Sequence, residues 1–366
     1  MLVRDDCLHF RGHVPCRPHK RRGAHCERCD DYVRAEGRVL LIKLGAAGDV
    51  IRTTPLLHPL RRDFPRHRLT WITRSPELLP ALVDDPLPFD AAAVLWARHV
   101  AFDLVINLDK DREACALASE AKASRRLGFL LGDNGLCTPA DAGAARAKWL
   151  TGLFDDISRA NTRSYPQEMF AICGYEFQGE EYVLDRPTPA SRFDLPSPAP
   201  GRAVVGLNTG CGDRWPSRLW PQAHWERLAR DLRDEGHAVV LLGGPDEDAR
   251  NHRLAAAAGA CYPGHFDLRT FVGLVDRCDV VVTAVTMAMH VAIGLRKQLV
   301  LLNNIFNRHE FELYGRGEIV EPEQPCECYF QPRCTARSFC LETLRPSVVQ
   351  AAVRARVAAG GAGSAR

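Results

Sequence analysis

The feature that most constrains this chain is an apolar run that ends in a glycine turn and an acidic residue. Residues 39–42, Val-Leu-Leu-Ile, have the unbroken apolar pattern of a strand buried on both faces. Residues 45–48, Gly-Ala-Ala-Gly, then predict a tight turn, and Asp49 begins a stretch with amphipathic helix spacing. This order indicates an open α/β sheet, in which ligands bind beside the carboxyl ends of the strands. We therefore expect Asp49 to lie next to a ligand.

The position of Asp49 suits a general base. The positive end of the following helix dipole keeps a nearby carboxylate ionised, and an ionised carboxylate can take a proton from a substrate. The alternative is that Asp49 only caps the helix.

Strand and helix patterns alternate along most of the chain. Further strands are predicted at residues 69–73, 103–108, 203–208, 238–242, 279–283 and 298–302. With helical stretches between them, they predict parallel βαβ units and an α/β fold. The predicted divisions are a Cys/His-rich module 1–37, a domain 38–185, a Pro-rich linker 186–200, a domain 201–345, and a helix with a disordered tail 346–366. Two such domains leave a cleft that binds small molecules.

Composition excludes several classes of protein. The 366 residues are 46% apolar and 25% charged, as in soluble proteins, and no apolar run reaches the roughly 18–20 residues of a membrane span. No secretory signal is visible, so we expect a cytoplasmic protein, with at most a peripheral membrane contact through a partner. The net charge of +3 is carried by residues 1–34 alone, with eight Lys/Arg against five Asp/Glu. The balanced remainder argues against nucleic-acid binding.

The N-terminal segment predicts a metal site. In it Cys7, Cys16, Cys26 and Cys29 are interleaved with His9, His13, His19 and His25. The Cys26-x2-Cys29 spacing is typical of zinc knuckles, because two thiolates on one tight turn reach one tetrahedral ion. Since few apolar residues are present, metal would supply the folding energy. We predict structural zinc, with iron also open; the alternative is a disordered basic tail.

Four more cysteines, Cys326, Cys328, Cys334 and Cys340, lie close together near the C-terminus. Clustered cysteines of a reducing compartment bind metal more often than they form disulfides. We predict a second structural metal site here, with buried or reactive thiols in a surface loop as the alternative.

Polar residues follow the predicted strands of the second domain. Thr209 lies in a glycine-containing turn, and Arg218 lies further on, before a helix. A fixed cation there suits binding of a diphosphate and its stabilisation on departure. The alternative for Arg218 is a surface position at the start of the helix.

Two later turns carry candidate nucleotide-binding residues. Glu247 follows the strand at 238–242, where a carboxylate can accept hydrogen bonds from a ribose diol. Thr286 and Met287 begin a helix that would direct backbone N–H groups at a phosphate, with His290 one turn further on. The alternatives are an ordinary helix N-terminal acid for Glu247 and a packed core histidine for His290.

Five stretches, LGAAGDVIRTTPLL, FDLVINLDKD, SRLWPQAHWERLARDL, GGPDED and CDVVVTAVTMAMHVAIG, follow one another between residues 44 and 294. Together they resemble the ADP-heptose-type transferases of glycosyltransferase family 9, and the resemblance extends over residues 38–345. It implies a GT-B architecture of two Rossmann-like, doubly wound domains facing a cleft. In that architecture the first domain binds the acceptor and the second binds the nucleotide sugar.

The resemblance also assigns roles to single residues. Asp49 is similar to the family's general base, and Arg218 stands where the family has a phosphate-binding lysine. Glu247 is similar to a ribose-binding acid, and His290 to the histidine of an Asp-[Ser/Thr]-Gly-x-x-His motif. Val-Thr-Met at 285–287 departs from that motif, which removes its acid and crowds the approach to a phosphate. The predicted donor-binding residues are thus Thr209, Arg218, Glu247, Thr286, Met287 and His290.

Asp109 ends the predicted strand at 103–108, within an Asp-x-Asp pattern. Such pairs hold Mg²⁺ in one class of glycosyltransferases, and residues 246–248 form a similar pair. Because three-residue patterns are frequent in charged chains, we expect Asp109 to bind the acceptor without a metal.

The sequence and its resemblance to glycosyltransferase family 9 therefore predict an inverting glycosyltransferase without a catalytic metal, and the resemblance implies lipopolysaccharide biosynthesis. It would move a sugar, a heptose by resemblance, from a donor such as ADP-heptose to a glycan, lipid-linked or small-molecule acceptor. One alternative is an NADP-dependent oxidoreductase, with Arg74 and Ser75 at the 2′-phosphate, although residues 45–48 lack the G-x-G-x-x-G spacing. The other is a non-catalytic, metal-bound scaffold descended from a transferase.

Overall fold

The computed structural model describes residues 1–187, 192–212, 214–324 and 326–363, and within these ranges the chain divides into two units. Unit 1 consists of Met1–Gly45, Leu56–Trp149 and Met169–Tyr175. Unit 2 consists of Ala46–Pro55, Leu150–Glu168 and Glu176–Arg366.

Each unit contains a sheet. The strands of unit 1 are β1 Gly37–Ile42, β2 His67–Thr73, β3 Asp85–Pro88, β4 Ala101–Asn107, β5 Lys122–Leu131 and β6 Cys137–Pro139. Those of unit 2 are β7 Val204–Asn208, β8 Ala238–Leu242, β9 Val280–Ala284, β10 Gln298–Leu302 and β11 Gly317–Val320. The spatial order is β3-β2-β1-β4-β5-β6 in unit 1 and β11-β10-β9-β7-β8 in unit 2. Among these strands, β5 and β6 pair antiparallel and the other neighbours pair parallel.

Helices connect the strands. In the first half of the chain they are α1 Arg17–Arg22, α2 Ala47–Ile51, α3 Leu57–Asp63, α4 Ala91–His99, α5 Arg112–Glu120, α6 Ala144–Leu150, α7 Asp155–Ala160 and α8 Tyr165–Ile172. In the second half they are α9 Gln222–Asp234, α10 Asp248–Ala258, α11 Leu268–Asp276, α12 Met287–Gly294 and α13 Pro346–Gly363.

Apolar runs form the central strands because helices cover both faces of a parallel sheet. In β1 the residues from Val39 to Ile42 are at most 1% exposed. In β8 all five residues, Ala-Val-Val-Leu-Leu, are buried. The core of unit 2 joins alternate residues of its strands to the apolar face of α9, which contributes Trp225 and Leu228.

Strand register in unit 2 brings three chain turns to one edge of the sheet. Asn208, the last residue of β7, is paired with Leu242 of β8 and with Thr283 of β9. Because parallel strands end at the same edge, the segments that follow β7, β8 and β9 converge there. Those segments contain most of the residues predicted to bind a donor.

The α/β fold class is confirmed, and the seven strands predicted from apolar runs form with their ends shifted by at most two residues. The edge strands β3 and β11 and the β5–β6 pair were not predicted. The predicted domains 38–185 and 201–345 are continuous, whereas the observed units are discontinuous, with α2 in unit 2. Residues 188–191 of the predicted linker lie outside the described residues. Helix α13 continues to Gly363, through most of the predicted disordered tail, of which residues 364–366 are not described.

The N-terminal segment packs on the edge of the unit 1 sheet. The Leu8 backbone N–H donates to Val33 O at 2.8 Å, and the Arg68 side chain of β2 donates to Phe10 O at 2.6 Å. These contacts belong to an ordered segment, so the alternative of a disordered basic tail is wrong for the residues described.

Candidate active site

A pocket of about 620 Å³ opens at the edge of the unit 2 sheet where β7, β8 and β9 end. It is lined by residues 46–49 and Arg52, by segments after the strands, and by aromatic side chains. All of these residues belong to unit 2. Six predicted site residues line it, namely Asp49, Arg218, Glu247, Thr286, Met287 and His290.

Asp49 lies in the first turn of α2, whose N-cap residue is Ala46. The alternative that Asp49 is the helix cap is therefore wrong. Its side chain is 32% exposed, and its Oδ1 lies 2.8 Å from Nη2 of Arg52. A carboxylate in the first helical turn, beside a guanidinium, is stabilised as an anion.

Helix α2 packs closely on α12 through Gly48 and His290. A Cβ atom at Gly48 would lie 2.6 Å from Cδ2 of His290, so only glycine permits this approach. His290 is 6% exposed and its ring stacks on Tyr182 at 6.2 Å between centroids. Burial, assisted by the nearby Arg52 and opposed by Asp49, lowers the pKa of His290 to about 3. His290 is therefore a neutral ring on the pocket wall, as well as a packed core residue.

Arg218 supplies a partly buried cation to the pocket. It ends a 3-10 turn whose Ser217 Oγ donates to Gln331 O at 2.7 Å. Its guanidinium donates to Val285 O and, at 3.2 Å, to Cys211 O. Burial lowers the pKa of Arg218 below its ordinary value. No carboxylate of the described residues forms an ion pair with it, so a bound anion would be the natural counter-charge.

Polar groups at the start of α12 form the floor of the pocket. Thr286 is the N-cap of α12 and its hydroxyl accepts the Ala288 N–H at 3.2 Å. The side-chain amide of Asn208, which also lines the pocket, donates to Thr286 Oγ1 at 3.3 Å and to Thr283 Oγ1 at 3.0 Å. The α12 N-terminus thus presents backbone N–H groups and a dipole to the pocket. Asn208 was not predicted as a site residue, although it ends a predicted strand.

Thr209 does not line the pocket. It is 3% exposed, and its hydroxyl donates to Asn251 Oδ1 at 2.5 Å. This buried hydrogen bond ties the end of β7 to α10, so the structure gives Thr209 a supporting place behind the predicted donor site.

Glu247 is 8% exposed, and its carboxylate accepts the Gly244 N–H at 2.9 Å and the Gly212 N–H at 3.4 Å. A Cβ atom at Gly210 would lie 2.0 Å from Glu247 Oε1, so glycine is required for this approach. The acid is fixed by backbone groups and still faces the pocket.

Aromatic side chains form walls that the sequence reasoning missed. Trp215, Phe266, Phe271, Phe306, Phe311 and Phe330 line the pocket. Arg218 lies over the rings of Trp215 and Phe306, with its Cζ 5.7 and 5.6 Å from their centroids. The position of Phe306, four residues beyond the predicted strand at 298–302, was the signal available in the sequence.

Asp109 belongs to unit 1 and is not among the residues that line this pocket. It is 6% exposed, forms a buried ion pair with Lys43, and accepts backbone N–H groups of Leu44 and, at 2.8 Å, Gly45. These contacts fix the turn that follows β1. The geometry favours this structural role over the predicted acceptor-binding role.

The predicted zinc sites are not supported. Within the described ranges, no group of three or more His, Cys, Asp or Glu side chains is arranged to hold a metal ion. This covers the N-terminal set, Cys7, Cys16, Cys26 and Cys29, and the C-terminal set, Cys326, Cys328, Cys334 and Cys340. In the second set Cys328 and Cys334 lie 3.5 Å apart between sulfurs, and Cys328 accepts the Thr335 N–H at 3.1 Å. The cysteines that are close in sequence thus bring two thiols into contact, but among the described residues they do not form a set of metal ligands.

Comparison with known proteins identifies the family. The family model described as glycosyltransferase family 9 (heptosyltransferase) matches residues 97–320. The chain belongs to glycosyltransferase family 9. Lipopolysaccharide heptosyltransferase 2 of Escherichia coli K12 is 35% identical over 299 residues, which cover 72% of this chain and 82% of that protein.

Solved structures of family 9 proteins show the same GT-B-type fold. The Escherichia coli ADP-heptose lipopolysaccharide heptosyltransferase II matches with a TM-score of 0.62 at 19% identity, covering 87% of this chain and 98% of that chain. Escherichia coli heptosyltransferase WaaC with ADP-2-deoxy-2-fluoro heptose matches with a TM-score of 0.57 at 17% identity, covering 87% and 99%.

Membership of family 9 makes the protein a glycosyltransferase, so the alternatives of an NADP-dependent oxidoreductase and a non-catalytic scaffold are wrong. In unit 1, Arg74 is paired with Glu113 at 2.6 Å and lies over the Phe89 ring. None of the helices in the described part of the chain is long and apolar enough to cross a membrane.

Proposed function

We propose that this family 9 protein is an inverting glycosyltransferase that moves a heptose from ADP-heptose to a hydroxyl of a glycan acceptor in lipopolysaccharide biosynthesis. The observation that carries the proposal is that the Asp49 carboxylate and the partly buried Arg218 guanidinium line one pocket. The relatives named above, one of them in complex with an ADP-heptose analogue, support the choice of donor.

The donor would place its diphosphate between Arg218 and the N-terminus of α12. Both are positive, and both are held in place before the donor arrives, which is the arrangement that stabilises a leaving group without reorganisation. Arg218 would supply in this way the positive charge that a metal ion supplies to other leaving diphosphates. Glu247, fixed by two backbone N–H groups, would accept a hydrogen bond from the ribose.

At the anomeric carbon, the reaction would form one bond and break another. The acceptor oxygen attacks the anomeric carbon from the face opposite the nucleotide, and the bond from that carbon to the β-phosphate oxygen breaks. The electron pair leaves with ADP, and the hydroxyl proton passes to Asp49. General-base assistance of this kind contributes about 10²–10⁴-fold to the rate.

His290 is neutral, so it would form part of the pocket wall without adding a charge to the pocket. A protonated imidazole beside Arg52 would add repulsion in the pocket, and burial prevents protonation near neutral pH. Met287, where family 9 proteins resembling this one have glycine, narrows the approach to the α12 N-terminus, and the donor would pass beside it.

The test is release of ADP from ADP-heptose in the presence of a heptose-deficient lipopolysaccharide acceptor. We expect Asp49→Asn to lose about 10²-fold or more in kcat while the affinity for ADP, measured by calorimetry, is unchanged. A panel of GDP-, UDP- and CDP-sugars provides the control, and these should release no nucleotide. Turnover by Asp49→Asn within threefold of the parent, or faster release from another nucleotide sugar, contradicts the proposal.

A further inference from the structure

Arg52 is held on both sides and on its face. Its Nη2 lies 2.8 Å from Asp49 Oδ1, and its Nη1 donates to Glu310 Oε1 at 2.6 Å. The guanidinium carbon lies 3.7 Å from the ring centroid of Tyr165. The side chain is only 15% exposed, so this planar group has one orientation that satisfies all three neighbours.

The support beneath Arg52 is itself fixed. The Thr53 hydroxyl donates to the backbone carbonyl of Asp49 at 2.7 Å and lies 3.1 Å from the hydroxyl of Tyr165. The contacts therefore form a ring: Arg52 packs on Tyr165, Tyr165 contacts Thr53, and both Thr53 and Arg52 contact Asp49. An arginine that is only exposed on the surface of a helix would not need this set of contacts.

The charges in this cluster do not cancel. Two carboxylates, Asp49 and Glu310, share one guanidinium, which leaves one negative charge. Burial opposes the charge of Arg52, but Asp49 and Glu310 outweigh it and raise the pKa of Arg52 above its ordinary value. Arg52 is therefore a permanent cation beside the carboxylate of Asp49.

Two titratable groups beside this pair are neutral. His290, on α12, is uncharged because its pKa is lowered to about 3. Tyr182 stays protonated because burial raises its pKa. Of the charged groups nearby, Arg52 contacts Asp49 directly and favours its anion, and Glu310 opposes it. Three further charged residues line the same pocket and are retained in every variant of this test, namely Arg214, Arg218 and Glu247.

We propose that Arg52, clamped by Glu310, is the positioning residue that orients the Asp49 carboxylate and keeps it as an anion. This inference rests on the proposed role of Asp49 as the general base. Arg52 would touch neither the proton nor the anomeric carbon, and would act only through Asp49. With Nη1 held by Glu310, Nη2 would give the Asp49 carboxylate a fixed direction and a fixed charge.

The proposal predicts opposite shifts in the pH profile of kcat. In Arg52→Met the anion loses its cation, so the acid limb moves up by about one pH unit or more. The loss in kcat is therefore largest at acid pH and diminishes as the pH rises. In Glu310→Gln the opposing carboxylate is removed, so the acid limb moves down. Arg52→Lys keeps the positive charge but loses the planar guanidinium that contacts two carboxylates at once. The acid limb of its pH profile should therefore stay near that of the parent, while kcat falls.

The experiment measures kcat between pH 5 and 9 for the parent and the three variants, with ADP affinity measured in parallel. Arg308→Met is the matched control, because Arg308 lies two residues from Glu310, is 55% exposed and pairs with Glu321. Its profile should coincide with that of the parent. ADP affinity should be unchanged in the variants, because Arg52 acts on the base.

The outcomes separate this inference from the proposed function. Normal turnover by Asp49→Asn removes both. An inactive Asp49→Asn together with an unmoved acid limb in Arg52→Met overturns only the role of Arg52. If Arg52→Met does not fold, Glu310→Gln decides alone, and an acid limb that stays or moves up overturns the inference.

Discussion

Gly48 of α2 and His290 of α12 are in such close contact that a Cβ atom at position 48 would lie 2.6 Å from His290 Cδ2. The same added atom would lie 3.4 Å from the backbone Cα of Met287. Asp49 follows Gly48 directly, so the distance between the two helices determines where the proposed base is held. Glycine at position 48 is thus required for the packing of α2 against α12, and not only for the chain turn after β1.

We expect Gly48→Ala to reduce both stability and turnover. Because His290 is buried and stacked on Tyr182, it cannot yield freely, and overpacking of this kind costs about 1–3 kcal/mol. The shift of α2 should lower kcat more than it weakens ADP binding. Urea unfolding, steady-state kinetics and calorimetry measure the three quantities.

Gly361→Ala is the matched control, because a Cβ atom at Gly361 meets no atom within 4 Å. That substitution in α13 should leave kcat unchanged and stabilise the protein by up to about 1 kcal/mol, since alanine favours helix. Equal stability of Gly48→Ala and the parent would show that the two helices separate without cost.

Acidification should destabilise the protein in part through His290. The folded-state pKa of His290 is about 3, below the ordinary value of 6.5. Its contribution is therefore fully present above pH 6.5 and is lost as the pH falls from 6.5 towards 3, where the unfolded chain binds a proton that the folded chain excludes. The slope from one such group approaches about 1.4 kcal/mol per pH unit.

The measurement is the free energy of unfolding in urea at pH 7 and pH 5 for the parent and His290→Gln. The variant should lose about 1–2 kcal/mol less between the two values, since glutamine does not titrate. Burial also lowers the pKa of His237, but that residue is present in both proteins and its effect cancels. Equal losses in the two proteins would mean that His290 takes up its proton in the folded state.

Asp109→Asn should act on stability rather than on the acceptor. The Lys43–Asp109 ion pair is buried, with side chains 6% and 7% exposed, so removing the carboxylate charge breaks a buried ion pair and weakens the hydrogen bonds that the carboxylate accepts from Leu44 and Gly45 N–H. Such a change costs about 3–5 kcal/mol. Urea unfolding should show the loss, and the acceptor KM at a temperature where the variant is folded should equal that of the parent.

Glu120→Gln provides the comparison, because Glu120 pairs with Arg98 on the surface with both side chains about half exposed. That substitution should cost at most about 1 kcal/mol. A raised acceptor KM with unchanged stability in Asp109→Asn would restore the acceptor-binding role expected from the sequence.

Long apolar runs were sufficient to predict the central strands, because strands buried on both faces need little besides an apolar sequence. The edge strand β3 carries Pro86 and Pro88, which normally argue against a strand and are tolerated only at an edge. Strand β5 begins with Lys-Ala-Ser-Arg-Arg, whose polar side chains conceal the pattern. These strands depend on their neighbours in the sheet, which a local pattern does not contain.

Site residues were predicted on strand-following turns because ligands bind at the carboxyl edge of a parallel sheet, and the structure places several of these residues in one pocket. Asp49, Arg218 and Thr286 all line the pocket. Asp109 was assigned by the same rule, but its neighbour Lys43 pairs with it, and nothing in the spacing of two distant residues indicates an ion pair. Arg52 was missed because its role depends on Glu310, which lies 258 positions away in the chain.

Arg218→Met should weaken ADP binding without lowering the free energy of unfolding. The Nε atom of Arg218 is buried and has no hydrogen-bond partner among the described residues, and partial burial lowers the pKa of Arg218. Loss of the cation should weaken ADP binding about ten- to a hundredfold, because a charge-assisted contact to phosphate contributes about 1.5–3 kcal/mol. The free energy of unfolding should stay equal or rise, since replacing a desolvated cation by an apolar side chain of similar length removes a burial cost.

The comparison of ADP with AMP locates this effect at the diphosphate. In the parent, ADP should bind more tightly than AMP, and Arg218→Met should reduce that preference, whereas Arg218→Lys should retain part of it because lysine keeps the charge without the planar fork. Calorimetry with both nucleotides gives the ratio directly. A preference for ADP that survives in Arg218→Met would place the diphosphate on the α12 N-terminus alone, and the arginine would then serve to join Cys211 and Val285 across the pocket floor.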